Sequence, residues 1–127
     1  LYARINDANY RILKHFTPGP FTFILPATRE VPRRLVHAKR KTIGLRIPDN
    51  AIALALLEAL DEPMMTTTMR LPGHEHPYTD PEEIRADLQG SVDLIIDGGA
   101  GGLVPTTVVD LTGDVPEIRR QGMGVFE

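Results

Sequence analysis

The sequence predicts an α/β domain, a mixed sheet with helices packed on it. Three observations lead there. Short β-rich segments bounded by Pro and Gly are interspersed with segments of helical periodicity. The two kinds do not alternate strictly, which argues for a mixed sheet over an all-parallel one. A chain of 127 residues, 42% hydrophobic, can bury one core without staples.

Taken in order, Leu1, Ile5, Ala8, Ile12, Leu13 and Phe16 recur at helical spacing. This pattern opens with no cap and no initiator Met, so further sequence is expected upstream. Thr17-Pro18-Gly19-Pro20 breaks the helix. Phe21–Leu25 is rich in β-formers and stops at Pro26, so it is predicted as a strand. Val31–Lys39 reads as a short basic helix with Pro32 in its first turn, and Lys41–Ile47 as a strand. Pro48-Asp49-Asn50 turns the chain and offers a cap for a helix over Ala51–Leu60. That helix is apolar almost all round, so it is expected to be buried.

Met64–Met69 reads as another strand, followed by a loop from Leu71 to Thr79. Asp80-Pro81-Glu82-Glu83 is a helix start: a capping residue, Pro in the first turn, then acids at the positive helix end. Val92–Ile96 is an apolar run ended by Asp97-Gly98-Gly99. Thr106–Leu111 and Glu117–Arg120 are the last predicted strands. No repeat, low-complexity tract or linker interrupts 1–127, which reads as a single domain.

Composition excludes several classes of function. There is no cysteine, hence no disulfide and no thiol chemistry. With no secretory leader in view, a reducing, cytoplasmic setting is the expectation. No apolar run approaches the ~20 residues of a membrane helix, so no membrane partner is expected. The net charge of −3 gives no global pull towards polyanions, so any nucleic acid must be met by a local cluster.

Strand alternation supplies candidate binding residues. In Thr42–Pro48, Ile43, Leu45 and Ile47 share one face, and Thr42, Gly44 and Arg46 the other. Arg46 thus sits two residues from a glycine where a ligand could approach the backbone, its guanidinium suited to a carboxylate or phosphate. A solvated surface arginine is the plain alternative. Thr66, Thr68 and Arg70 repeat the pattern. Hydroxyls in a row can meet a sugar, phosphate or amino acid, although Thr is also common on exposed strands. Thr106 and Thr107 offer another hydroxyl pair. Asp110 is a weak metal or base candidate, and an Asp there more often caps or turns. Arg119 and Arg120 are adjacent, so alternation sends them to opposite faces.

Asp97-Gly98-Gly99-Ala100-Gly101-Gly102 is neither GxGxxG nor a P-loop and reads as a turn. His74 and His76 lack a HExxH context, so no metal site is expected. Arg33, Arg34, His37, Lys39, Arg40 and Lys41 form a dense basic patch, suited to RNA backbone or nucleotide phosphates, or to a solvated face.

In combination these segments resemble one family. Thr17-Pro18-Gly19-Pro20-Phe21-Thr22-Phe23-Ile24-Leu25 resembles the PGPxT motif of the YrdC-like family, which makes threonylcarbamoyl-AMP. Thr42-Ile43-Gly44-Leu45-Arg46-Ile47-Pro48 resembles its TxGxRxP strand. Asp97-Gly98-Gly99 with Thr106-Thr107-Val108-Val109-Asp110 resembles its DGG…STVVD pair, and Ile118-Arg119-Arg120-Gln121-Gly122 its final ILRxG. Order and spacing agree along essentially the whole chain. Val31-Pro32-Arg33-Arg34 through Gly44, with Met69-Arg70-Leu71-Pro72-Gly73, is similar to the YciO branch.

The resemblance implies a YrdC/RibB-like twisted open sheet, apparently lacking its N-terminal part. It implies an L-threonylcarbamoyladenylate synthase, a nucleotidyltransferase joining L-threonine, bicarbonate and ATP with Mg2+ and releasing pyrophosphate. The product serves N6-threonylcarbamoyladenosine formation in tRNA. By motif match, Thr22, Arg46, Thr68, Thr106 and Arg120 are carried over as substrate- or nucleotide-binding, and no catalytic residue is assigned. Double-stranded RNA binding, also attributed to the fold, would engage Arg33, Arg34, Lys39, Arg40 and Lys41.

Two departures bear on activity. Where the classical branch has TSAN and then Leu-Ser-Gly, this chain has Thr67-Thr68-Met69-Arg70-Leu71-Pro72-Gly73, so Arg70 replaces an amide. The family's Lys/Arg-rich phosphate motif lies upstream of these residues. The chain alone is therefore expected to be inactive, with unpaired sheet edges. The alternative is a non-catalytic protein that binds double-stranded RNA or a nucleotide.

Overall fold

Phe21, Phe23 and Leu25 alternate with Thr22, Ile24 and Pro26, and the burial of β1 (Phe21–Pro26) follows that alternation residue by residue. The computed structural model describes every residue from Leu1 to Glu127. Two compact units are present: residues 1–54 with 105–127, and residues 55–104.

The first unit carries the whole sheet, in the order β2-β1-β3-β4. β2 (Thr42–Leu45) pairs antiparallel with β1, Phe23 opposite Leu45 and Leu25 opposite Ile43. β3 (Thr107–Asp110) lies parallel to β1 on its other side, Phe23 opposite Val109. β4 (Glu117–Arg120) closes antiparallel on β3. The sheet is thus mixed and open, with β2 and β4 as its edges.

Helix α1 (Asp7–Phe16) covers one face. Ile12, Leu13 and Phe16 pack on the buried cluster of Phe21, Phe23, Leu25, Val109 and Leu111. Phe16 meets Phe21 edge-to-face and Phe126 at a tilt, with ring centroids 5.1 and 4.7 Å apart. Burying a side chain such as Phe23, fully inaccessible, contributes about 1.5–3 kcal/mol. The opposite face of the sheet carries Thr22, Ile24, Gly44 and Val108, and none of these is fully buried.

Four expectations are revised. The first helix is shorter than its periodicity suggests and is capped: the Asn6 side chain accepts from the Asn9 amide at 2.8 Å. Residues 1–4 instead run beside the end of β1, bridging Ala3 to Ala27, with the Arg4 amide donating to Pro26. Backbone pairing there outweighs a helical periodicity whose first member, Leu1, is 84% exposed.

The basic helix over Val31–Lys39 shrinks to one 3-10 turn, Arg33–Leu35. Beyond it the chain is committed to a loop in which the His37 amide donates to the Thr42 carbonyl and the Lys41 amide to the His37 carbonyl. Lys41 adopts φ 56°, a left-handed conformation outside the strand region, so the strand starts at Thr42, and it runs to Leu45 where Ile47 was expected.

Helix α2 (Ala51–Leu60) forms where expected, with Asn50 capping the Ala53 amide at 3.0 Å. It contains no buried residue, and Ile52, Leu56 and Leu60 form a partly exposed stripe at four-residue spacing. Ala53, Leu54 and Leu57 are half-buried, so the helix is covered only in part.

Residues 64–69 form no strand despite their β-formers, because no neighbouring segment supplies a hydrogen-bonded ladder. In the same 55–104 unit, α3 (Pro81–Leu88) begins as read, the Asp80 carboxylate accepting from the Glu82 amide at 3.0 Å. The apolar run at 92–96 is exposed, Leu94 most of all. Asp97-Gly98-Gly99 is a turn, the Gly99 amide donating to Asp97 with Gly99 at φ +87°. No helix is long and apolar enough to cross a membrane.

Candidate functional site

The open face of the sheet brings three of the sequence-derived residues together. Thr22 leaves β1 on that face by alternation, and Thr106 enters it just ahead of β3. Their hydroxyls lie 2.7 Å apart. Arg120, opposite Val108 in β4, donates from Nε and Nη2 to the Thr106 carbonyl at 3.1 and 2.8 Å. Its Nη2 also reaches the Thr106 hydroxyl at 3.1 Å.

The chemistry of this array has a direction. A guanidinium only donates, so the Thr106 oxygen accepts from Arg120, while either hydroxyl of the Thr22–Thr106 pair can donate to the other. Nη1 of Arg120 is bonded to no protein group, and Arg120 enters no ion pair. The array therefore presents a cation and two polarised hydroxyls on one exposed face, a fit for a carboxylate or phosphate.

The adjacent Arg119 behaves differently. Strict alternation would send it away from Arg120, but a bulge places an extra residue in β4 between the partners of Val108 and Val109. Arg119 then donates from Nε and Nη2 to one Asp110 oxygen at 3.2 and 3.1 Å. The other oxygen accepts the Thr112 amide and hydroxyl at 2.9 and 2.6 Å. Burial pushes the Asp110 carboxyl up, but the Thr112 hydrogen bonds and the Arg119 guanidinium outweigh it and hold it below its usual range. Asp110 is thus a structural anion that anchors a turn and the bulge.

Thr107, buried on the core face, is a residue whose role sequence reasoning missed. Its hydroxyl donates to the Gly124 carbonyl at 2.7 Å and accepts the Gly122 amide at 3.0 Å. It ties the C-terminal segment under the sheet, beside the residues that hold Arg120. The signal was present in parity alone, since Thr107 alternates with Thr106 and must face the core.

Gly44 stands beside Thr22. A Cβ there would come within 3.2 Å of the Thr22 methyl, so the missing side chain keeps this face open. Arg46 lies past the end of β2, exposed and without a hydrogen-bond or ion-pair partner. Thr68 belongs to the 55–104 unit, where it is exposed and its carbonyl accepts the Arg70 amide at 2.9 Å.

The basic residues are held by one loop. Arg33 and Arg34 sit in the 3-10 turn, while Lys39, Arg40 and Lys41 follow His37. None of the five is in an ion pair. The His37 ring Nδ1 accepts the amides of Lys39 and Arg40 at 3.3 and 3.0 Å.

In the 55–104 unit, His74, Glu75, His76 and Tyr78 line a cavity of about 680 Å³. The Tyr78 hydroxyl donates to Asp87 at 2.6 Å. That bond, with burial and the Asp87 and Glu83 charges, pushes its pKa up to about 12. No three His, Asp or Glu side chains gather closely enough to hold a metal ion.

Comparison with known proteins places this geometry. A family model for Sua5, YciO and YrdC proteins, described as telomere recombination, matches residues 1–122. An uncharacterized protein of Haemophilus influenzae is 59% identical over 97% of this chain and 60% of its own length. The uncharacterized protein YciO of Escherichia coli is 55% identical over 97% of this chain and 60% of its own. The crystal structure of E. coli YciO superposes with a TM-score of 0.90 over 98% of this chain.

More distant is a threonylcarbamoyl-AMP synthase of Pyrococcus abyssi, 35% identical over 96% of this chain and 36% of its own. The structure of P. abyssi Sua5 complexed with L-threonine superposes with a TM-score of 0.83. The chain thus spans 60% of the length of the first two relatives. The mixed open sheet expected from the motifs is the fold these structures share.

Proposed function

The chain belongs to the Sua5/YciO/YrdC family, on its YciO side, and from that premise we propose that the protein containing it is a threonylcarbamoyl-AMP synthase. The single observation that carries this reading is the Thr22–Thr106–Arg120 array on an open sheet face. The array joins three motif positions into one anion-binding surface.

In this reading the threonine amine captures carbon dioxide from bicarbonate as a carbamate. The carbamate oxygen attacks the α-phosphate of ATP, the bond to the β-phosphate oxygen breaks, and pyrophosphate leaves. Such a reaction needs positioning and charge neutralisation more than covalent help from the protein. Thr22, Thr106 and Arg120 would grip an anionic group of the substrates, with Arg46 and Thr68 as further contacts. Mg2+ would arrive on the ATP phosphates, keeping much of its water, since this chain gathers no carboxylate cage.

The test is to incubate the whole protein with L-threonine, bicarbonate, ATP and Mg2+. Threonine-dependent pyrophosphate release and a threonylcarbamoyl-AMP product are expected. Pyrophosphate release that ignores threonine would sink the proposal.

A second reading rests on Arg70 and on the five unpaired cations of the Arg33–Lys41 loop. It is a cytoplasmic protein without synthesis that holds double-stranded RNA, tRNA or a nucleotide. Affinity for duplex RNA would then fall with salt, with a slope near −0.9 per neutralised phosphate. Charge reversal at Arg33 and Arg34 would weaken it. A flat salt response would reject this reading.

A further inference from the structure

The segment after β4 turns back onto the entry of β3. The Met123 amide donates to the Pro105 carbonyl at 2.9 Å, and the Gly122 amide to the Thr107 hydroxyl at 3.0 Å. That hydroxyl gives its one proton to the Gly124 carbonyl at 2.7 Å. Gln121 Nε2 donates to the same carbonyl at 2.8 Å and to the Gly122 carbonyl at 3.2 Å. Thr107 is fully buried, so water does not compete for its two bonds.

Gly122 makes the close approach possible. A Cβ there would collide with the carbonyl oxygens of Pro105 and Thr106. The Thr106 carbonyl is also the one that Arg120 grips with Nε and Nη2. One oxygen thus meets both the Arg120 fork and the bare Cα of Gly122, two residues further along the same segment.

Arg120 itself is exposed, and an exposed arginine ordinarily spreads over many rotamers. Here it lies between two fixed points. Arg119 before it is tied to Asp110, and the Thr107–Gln121–Gly122 clamp follows it. A guanidinium already held in one direction binds an anion without the entropy cost of ordering itself.

We propose that Thr107, Gln121 and Gly122 are positioning residues that aim the Arg120 guanidinium and, through it, set the affinity of the Thr22–Thr106–Arg120 array for its anion. They act through Arg120 and need not touch the ligand. The effect on affinity rests on the reading of the array as an anion site. The effect on Arg120 does not.

The experiment reads the Nε–H signal of Arg120 by NMR in the whole protein and titrates L-threonine and ATP separately by calorimetry. Thr107→Val keeps the side-chain shape and removes both its hydrogen bonds. It should shift or broaden the Arg120 signal. It should also weaken the anion that the array holds about threefold or more, the scale of one neutral hydrogen bond. Thr107→Ser keeps the hydroxyl and should restore both the signal and the affinity. Gln121 is exposed, so Gln121→Leu supplies a folded variant where Thr107→Val does not fold, and it should move the Arg120 signal too.

The Arg120→Ala background separates aiming from mere stability. If Thr107 acts through Arg120, Thr107→Val should add nothing to the affinity that Arg120→Ala has already lost. A Thr107 that only supports the fold would cost the same in both backgrounds.

An Arg120 signal that ignores Thr107→Val and Gln121→Leu would overturn the proposal. So would a loss of affinity from Thr107→Val that persists unreduced beside Arg120→Ala. If neither L-threonine nor ATP binds the parent, the anion reading of the array fails, and a moved Arg120 signal still upholds the clamp. Absence of threonine-dependent pyrophosphate release counts against the synthase alone.

Discussion

Arg119 places two nitrogens on a single oxygen of Asp110, 3.2 and 3.1 Å away, across the β3–β4 pair. The carboxylate is nearly inaccessible and the guanidinium half exposed. Because the folded state lowers the Asp110 pKa, its contribution to stability is complete above the unfolded value of 3.8. It is lost as pH falls past that value to the folded one. Asp110→Asn should therefore destabilise the protein at pH 7 by about 1–3 kcal/mol, the range for a charged hydrogen bond discounted for the exposed partner. Urea midpoints of variant and parent, compared across pH, should converge below pH 3.8.

The hydroxyl pair of Thr22 and Thr106 can be tested by a double-mutant cycle. Thr22→Val and Thr106→Val should each already lose the shared bond, so the double variant should cost less than the two single costs added together. Their coupling should be about 0.5–1.5 kcal/mol, the net worth of one neutral hydrogen bond. Denaturant unfolding of the four proteins measures it. Strict additivity would mean the two hydroxyls do not interact in solution.

Gly124 approaches the core closely. A Cβ there would lie 2.6 Å from the ring of Phe21, which is buried and stacked on Phe23. The ring has no free space to yield, so Gly124→Ala should cost about 1–3 kcal/mol by overpacking. Thermal unfolding reads this directly, with Gly102→Ala, where nothing lies within 4 Å, as the control.

Arg46→Ala is expected to weaken an anionic ligand by about 1.5–3 kcal/mol, the scale of a charged hydrogen bond. Stability should barely change, since the side chain is exposed and makes no bond within the protein. Titration calorimetry with ATP, beside a melting curve, separates the two effects. Lost stability with unaltered affinity would make Arg46 a structural residue.

How far the sequence could be read depended on where its signals were local. β1 was legible because a six-residue alternation meets Pro at both ends, and α3 because Asp80 and Pro81 are a complete start signal. Thr22, Thr106 and Arg120 were legible as motif positions only, whereas alternation argued for Arg46 and Thr68. Parity within one strand could not show that Thr22 and Thr106 share a face, which is set by the pairing of β1 with β3. The loop around His37 was not legible, because its fold depends on a ring nitrogen reaching amides two and three residues on. Nothing in a run of cations reveals that bond. Arg119 was misplaced for a similar reason: a bulge is set by the pairing of two strands, and it overrules a period-two count made on one. Residues 64–69 have the composition of a strand, but a strand exists only when a neighbour completes its ladder.

Thr22 and Thr106 touch across 84 residues of chain, because the two central strands run the same way. Parallel neighbours cannot be joined by a tight turn, so the middle of this sheet is a seam sewn only after a long detour. Closing that seam is slow for a domain of this size, as non-local pairing generally is. The detour itself is cheap to enlarge, since doubling a flexible loop adds only about 0.6 kcal/mol of closure cost. Variation in length is therefore best tolerated between α2 and β3, while a single insertion inside β1 would shift the parity of every β1 residue beyond it.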